Sequence, residues 1–400
     1  MSVRRSGGVV VEYAGGGVVF DPTSNSVGYP ALVSHAHADH AAAFRYPDLV
    51  KYSTKPTHRM LETLGWRKMG EWRPVSVGGN VRFGDIEVRV HNAGHILGSV
   101  QFEAATPEGT VLYTGDFGLG DSYTMEGAEP VGCDILIIET TFGAPMFIFP
   151  RRSEVGLQMV RWAVHEAIPG GRVPAFRTDS IGNAQEIISI FNRMTKLPVV
   201  TAKSATRASD VYREHGYRLD YVDAESEEGR ELLDSGRCVL IAPKGSKLKR
   251  GNLDLALASG WAVIMRRRGN SFPLSDHVDF RGLLSFIRRC HPKRVLTFHG
   301  GALTKDFAGY VKRRLGIDAR PLTGREETLM GPVSNAEVRM KACCEQLLRT
   351  VRIPGFVYAS PWLVREMASG GFTRNETEVA LQRLISRGIL ETAEKGVKLP

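Results

Sequence analysis

The chain has 400 residues, 42% hydrophobic and 24% charged, which excludes a low-complexity polymer and leaves room for more than one folded core. Its 52 Lys and Arg against 43 Asp and Glu give a formal net charge of +9, a balance that favours anionic partners through long-range attraction. Five cysteines, Cys133, Cys238, Cys290, Cys343 and Cys344, are odd in number and form no C-x-x-C pair, which excludes a disulfide framework and a zinc ribbon.

The opening stretch "MSVRRSGGVVVEYAGGGVVFD" alternates glycine with short valine runs and lacks the continuous apolar core of a signal peptide. No apolar run reaches the roughly 18–20 residues of a membrane span, so the expectation is a cytoplasmic protein with no membrane partner. Short strands follow: "GGVVVEYAG", "GGVVFD", "ALVSH", "IEVRVHNA", "SVQFEA", "TVLYTGD" and "CDILIIET", rich in the residues strands prefer. The helical segment "KPTHRMLETLGW" interrupts them, giving a layered α/β pattern with hairpins. From Arg151 the rhythm changes to helices, "SEVGLQMVRWAVHEAI" with Ser153 and Glu154 placed to cap it and "SIGNAQEIISIFNRM", alternating with strands "LPVVTA", "RCVLIAP" and "WAVIMRR". This reads as a separate α/β unit inserted into the first. The helices "VDFRGLLSFIRRC" and "KDFAGYVKRRL" flank the strand "RVLTFHGG", and a polar linker leads to a tail of three helices and a hairpin. Thr373 with Glu376 forms a capping box at the third of these helices.

Three histidines and an aspartate crowd into "HAHADH". His35 and His37 are two apart on an extended segment, so both rings leave the same side of the backbone. Asp39 and His40 follow where the chain begins to turn, aimed at a neighbouring position. The arrangement suits two adjacent cations better than one, and imidazole nitrogen with carboxylate oxygen suits zinc, at about 2.0–2.2 Å. Downstream, "HNAGHILGS" offers His95 beside glycines that permit close backbone approach. "LYTGDFG" offers Asp116 just past a buried strand, where a carboxylate could bridge both ions. Asp21 in "VVFDPTS" sits at another strand end, placed to orient a ligand from behind. A single strand-end aspartate is usually a turn residue; the order and glycine-rich settings of the whole set carry the metal reading.

Together, HxHxDH, the glycine-flanked histidine and the TGD aspartate resemble the metal motifs of the metallo-β-lactamase superfold. That resemblance implies an α/β fold, a four-layer αββα sandwich with a two-zinc site at one edge. Three further stretches place Glu139 in "ILIIETTFG", His277 in "FPLSDHVDF" and His299 in "VLTFHGG". These are similar to the additional motifs of the β-CASP nucleases, which act on DNA and RNA. The resemblance implies that Glu139 braces His277, that His277 protonates the leaving oxygen and that His299 completes the second zinc. It also makes Asp39 both a ligand and a catalytic residue, with manganese as an alternative ion. Within the group the chain looks most like the ligase-associated DNA exonucleases of prokaryotes, beside archaeal mRNA 3′-end processing factor-like exonucleases; "ETTFGAPMFIFP" and "LSDHVDF" carry that likeness. One departure is visible: relatives commonly show G-[R/K]-A-Q-E, whereas this chain has Gly182, Asn183, Ala184, Gln185 and Glu186. The expected substitute for the missing basic side chain is backbone N–H at the helix start near Gly182.

The implied organisation is a metallo-β-lactamase unit over 1–145 returning over 271–325, a β-CASP cap over 146–270 and a winged helix over 335–400. Basic residues Lys244, Lys247, Lys249 and Arg250, with Arg266, Arg267 and Arg268, are the expected nucleic-acid contacts of the cap, although charge runs are commonly just solvated. In the tail, the helix from Asn375 to Arg387 has Val379, Leu381, Leu384 and Ile385 as its expected core face. The expected function is a zinc-dependent nuclease, an exonuclease on single-stranded DNA ends in repair, with a DNA ligase or other repair protein as a candidate partner. An RNA-processing nuclease is the alternative. A thioesterase-like small-molecule hydrolase would not need the cap, Glu139 or His277, and a metal-free binding subunit would not keep every ligand.

Overall fold

A computed structural model describes the chain except at residues 249, 266–269, 325–326, 329–334, 371 and 395, with backbone alone at 327–328 and 335–339. The expected contacts Lys249, Arg266, Arg267 and Arg268 lie outside the described residues.

Period-two patterning builds two facing sheets. In the strand Val9–Tyr13, Val9 and Val11 point into one core while Val10 points into another. The same split separates Ile135 and Ile137 from Leu136 and Ile138 in Ile135–Glu139. The first seven-stranded sheet runs Glu327–Thr328, Ser2–Arg5, Val9–Tyr13, Gly16–Phe20, Ala31–Leu32, Lys51–Thr54, Trp72–Val75. The second runs Asp318–Pro321, Arg294–Phe298, Ile135–Glu139, Gly109–Tyr113, Val100–Thr106, Ile86–Asn92, Asn80–Phe83. Between them Phe20 stacks on Phe102 and on Tyr113, with centroids 5.5 and 5.3 Å apart. The outer face of the second sheet is covered by the helices Phe280–Cys290 and Leu303–Leu315. The first sheet's outer face packs against Ala41, Phe44 and the helix Lys55–Thr63. Four layers result, a mixed α/β architecture that fits the metallo-β-lactamase and β-CASP fold.

A third sheet of six strands is wholly parallel: Val222–Asp223, Val199–Thr201, Val239–Pro243, Val173–Thr178, Leu253–Ala258, Asn270–Phe272. Parallel strands need crossovers, and the helices Asn183–Met194, Lys203–Glu214 and Glu227–Ser235 supply them. The last strand of this sheet ends at Phe272. Its apolar core is continuous with the outer face of the first sheet, so the two units pack as one body. The tail comprises helices Asn335–Thr350, Ser360–Ser369 and Arg374–Ser386 with a three-stranded sheet of Tyr358–Ala359, Gly396–Lys398 and Glu391–Ala393.

Some local expectations are corrected. The helix Arg152–Trp162 has Arg151 at its N-cap with no side-chain cap, so Ser153 and Glu154 lie inside its first turn. The stretch "WAVIMRR" was expected as a strand, yet Gly260–Val263 is a short 3₁₀ turn. In the tail helix Arg374–Ser386 the capping box of Thr373 and Glu376 is present, but Val379 is exposed and Thr377 and Ala380 are buried instead. No cysteine forms a disulfide among the described residues, and four of the five are buried. Among the described residues no helix is long and apolar enough to cross a membrane.

Candidate metal centre and cleft

Strand polarity gathers the chemistry at one edge of the sandwich. Gly109–Tyr113, Ile135–Glu139 and Arg294–Phe298 are mutually parallel, so Asp116, Glu139 and His299 emerge from their C-terminal ends together. Gly16–Phe20 and Ala31–Leu32 are likewise parallel and deliver Asp21 and His35. Gly115 adopts φ +54°, and a Cβ there would lie 2.8 Å from the Ser34 Cβ; only glycine lets the chain turn Asp116 into the histidines. Asp21 and His299 also hold positive φ, both +44°, and such backbone persists at a functional site where its surroundings fix it. For His299 the fixing contacts are the Thr140 N–H, donating to its carbonyl at 2.7 Å, and the Thr140 hydroxyl at 3.2 Å.

Two ligand sets form side by side. His35, His37, His95 and Asp116 place ligand atoms within 4.8 Å of one another, and Asp39, His40 and His299 do the same. His40 Nε2 lies 3.2 Å and His35 Nε2 3.6 Å from Asp116 Oδ2, so this carboxylate touches both sets. His35 Nε2, His40 Nε2 and Asp116 Oδ1 are buried yet find no hydrogen-bond partner among the described residues. Buried polar atoms left unpaired are costly, and three aimed at one space fit cations as the absent partners. Burial, then the charge of His40, pushes His35 well below the ordinary histidine value; burial, then His277, does so for His95. Both are therefore neutral, the form that binds metal. Burial works against ionised Asp116, but His40 and His277 hold it well below the usual carboxylate range.

Asp21 organises the second set from behind. Its carboxylate accepts from Ser34 N at 2.7 Å, the Ser34 hydroxyl at 2.6 Å, the Tyr113 hydroxyl at 2.8 Å and His40 Nδ1 at 2.7 Å. With Nδ1 committed to Asp21, His40 presents Nε2 as its ligand atom. Burial disfavours a charged His40, but Asp116 and Asp21 raise its pKa well above the ordinary value. Ser34 and Tyr113 were not anticipated from the sequence.

His277 adjoins the first set, grouping with His95 and Asp276 and with Asp116 and Glu139. Its Nδ1 donates to Glu139 Oε1 at 2.9 Å, while Glu139 Oε1 also accepts from Phe117 N at 3.0 Å. Its Nε2 is left facing Asp116, 4.0 Å away. Burial favours the neutral ring, yet Glu139 and then Asp116 overcome it and raise His277 to about 10. Asp276, unremarked in the sequence, is buried beside it; its backbone carbonyl lies 3.3 Å from His95 Nδ1 and orients that ring.

A cleft of about 690 Å³ opens above these residues, lined on one side by His37, Asp39, Asp116, His277 and His299. Asp179, Ser180, Ser204 and Lys244 of the third-sheet unit form the opposite wall. The expected basic contacts divide. Lys244 lines the cleft, paired with Asp179 at 2.6 Å. Lys247 is exposed but does not line it. Arg250 pairs with Asp234 on the helix Glu227–Ser235. Gly182 is buried, and its own N–H donates to Gln185 Oε1 at 2.8 Å.

Four layers with a metal-ligating edge define the metallo-β-lactamase class. No family model matches the chain. It is 31% identical to a protein of Opitutus terrae named probable DNA ligase, over 72% of this chain and 28% of that protein. It is also 31% identical to an RNase J-like protein of Methanocaldococcus jannaschii, over 45% of this chain and 49% of that one. RNase aCSPSF2 of Saccharolobus solfataricus is 22% identical over 82% of this chain and 81% of its own. The chain therefore spans about a quarter and about half of the first two relatives. A crystal structure of a protein of unknown function from Enterococcus faecalis superposes with a TM-score of 0.58 at 15% identity, covering 82% of this chain and 99% of that one; it attests the fold alone. The chain belongs to the β-CASP family of metallo-β-lactamase-fold proteins.

Proposed function

We propose that the protein is a two-zinc phosphodiesterase that hydrolyses single-stranded nucleic acid, cutting DNA from its ends during repair. One observation carries the reading: two adjacent ligand sets and a carboxylate-braced histidine share the floor of a cleft roofed by a second unit. A small-molecule hydrolase has no use for that roof or for a proton donor separate from the metal ligands. Bound cations would supply Lewis acidity and lower the pKa of a water toward neutrality. The chain's own residues do the rest. His35, His37 and His95 offer ring nitrogens to one position, Asp39, His40 and His299 serve the other, and Asp116 serves both. Asp21 fixes His40 in the tautomer that leaves Nε2 free. His277 keeps its Nδ1 proton on Glu139 and delivers its Nε2 proton to the departing oxygen as general acid. Lys244 meets a phosphate at the cleft mouth by exchanging Asp179 for it.

We further assign 1–145 and 271–325 to the catalytic unit, 146–270 to the cap and 335–400 to a winged helix that docks the enzyme on long nucleic acid or on a repair partner such as a ligase. The helix pair and small hairpin sheet of the tail support this last assignment. RNA is the second reading, favoured by the two relatives named as RNases. Incubating the chain with end-labelled DNA and RNA oligonucleotides in zinc or manganese tests both. Shortening of single-stranded DNA from one end is expected. Cleavage of RNA alone would transfer the assignment to the second reading, and cleavage of neither would overturn it.

A further inference from the structure

One element of the cleft has no part in the chemistry above. Trp261 lines it together with His277 and Lys244, and 39% of its surface is exposed although Gly260 and Ala262 on either side are buried. Tryptophan is usually largely buried, so an indole held out toward solvent beside His277 and Lys244 needs a reason. It is not a loose side chain. Its ring packs 5.2 Å from Phe142 and 5.2 Å from Phe147, and Phe142 packs 5.0 Å from Phe149. Gly260 is what allows this, since a Cβ there would lie 2.5 Å from Phe142 Cζ. The indole is thus mounted on a rigid aromatic block with part of its surface left uncovered. Phe142 also meets the His277 ring edge-on at 5.8 Å, so a single ring separates Trp261 from the proton donor. Ile264 and Met265, just after Trp261 in the chain, are exposed, as are Met146 and Ile148 on either side of Phe147.

We infer that Trp261 is a stacking platform for the nucleobase on the leaving-group side of the scissile phosphate, an inference that rests on the nuclease reading above. A sugar–phosphate chain is held by cations and polar groups and gains nothing from an exposed indole. A base gains a flat apolar face, and every base has one, so the contact is tolerant of sequence. Its place beside His277 sets which base is held: the proton donor serves the leaving oxygen, and the nucleoside carrying that oxygen lies on the same side. The contact fixes the strand's register over the metal positions without touching the reacting atoms, which makes Trp261 a positioning residue.

The test uses the full chain loaded with zinc and short single strands in which one abasic nucleotide is moved position by position. With the wild type, one position on the leaving side is expected to be sensitive, its base loss lowering kcat/KM by about 5- to 150-fold, the range of a base–aromatic stack. Trp261→Ala should lower kcat/KM on the intact strand by a similar factor and lose nothing further on the strand abasic at that position. Trp261→Phe should retain most of the rate. If Trp261→Ala does not fold, the wild-type scan and Trp261→Phe decide. A wild type that cleaves strands yet tolerates every abasic position, or losses from Trp261→Ala and the abasic site that multiply, would overturn the platform alone. A wild type that cleaves no strand would remove the nuclease reading and the platform with it.

Discussion

Replacing Glu139 with glutamine separates its charge from its geometry. The Gln side-chain oxygen can still accept from Phe117 N and from His277 Nδ1, where Glu139 Oε1 now sits at 3.0 and 2.9 Å. What disappears is the negative charge. In His277, burial favours the neutral ring and Glu139 is the foremost group opposing it, holding the pKa at about 10 with help from Asp116. A carboxylate stabilises the protonated ring, so removing its charge lowers the pKa. A general acid works only below its pKa, so the alkaline limb of kcat/KM should move to lower pH. Each unit by which the pKa falls below the assay pH costs about tenfold in protonated enzyme. The ceiling is loss of the acid itself, about 10²–10⁴. Cations on the neighbouring ligands repel the same proton and lower the pKa in both proteins, so the comparison survives their presence. The assay is a pH profile on a short single strand, with bound metal measured in each preparation. His277→Ala should have no such limb while retaining metal. An unmoved limb in Glu139→Gln with metal retained, or metal lost in step with activity in either variant, would refute the proton-donor assignment.

Asp21→Asn removes the charge that accepts from His40, Ser34 and Tyr113, and should weaken metal binding about 10- to 100-fold; excess zinc should restore activity, and unchanged affinity in a competition titration would contradict the orienting role. Neutralising Lys244 should weaken binding of single strands and reduce the salt slope by about 0.7, read from anisotropy across a salt series, whereas Arg250→Ala, already engaged with Asp234, should change neither. Removing 335–400 should leave cleavage of short strands nearly intact, because the described residues lining the cleft include none from this segment; a folded truncation that cuts no short strand would rule out a docking-only tail.

Much of the sandwich is legible because each strand must satisfy two faces at once, as Val9, Val10 and Val11 do by alternating. The ligands are legible because they come in dense or glycine-marked motifs, His35 to His40 above all. Their supports are not. Ser34, Tyr113 and Asp276 carry no metal-ligand signal of their own, and Tyr113 and Asp276 acquire their roles only from chain segments far away in sequence. Trp261 was hidden for a related reason: "WAVIMRR" has the composition of a strand, but its first residues form a 3₁₀ segment that leaves the indole in the cleft. Arg250 shows the limit for charge, since a basic run does not reveal which of its members faces an acidic helix. Gly182 shows it for backbone donors, because its N–H is satisfied by Gln185 three residues on in the same motif.

The central claim is that two adjacent ligand sets make one hydrolytic metal site. Elemental analysis of protein purified without chelator, paired with cleavage of an end-labelled single strand by the same sample, tests it most directly. The expected result is about two zinc ions per chain, with metal and activity lost together in His37→Ala and Asp116→Ala and on chelation. Full activity in protein that holds no metal would contradict it.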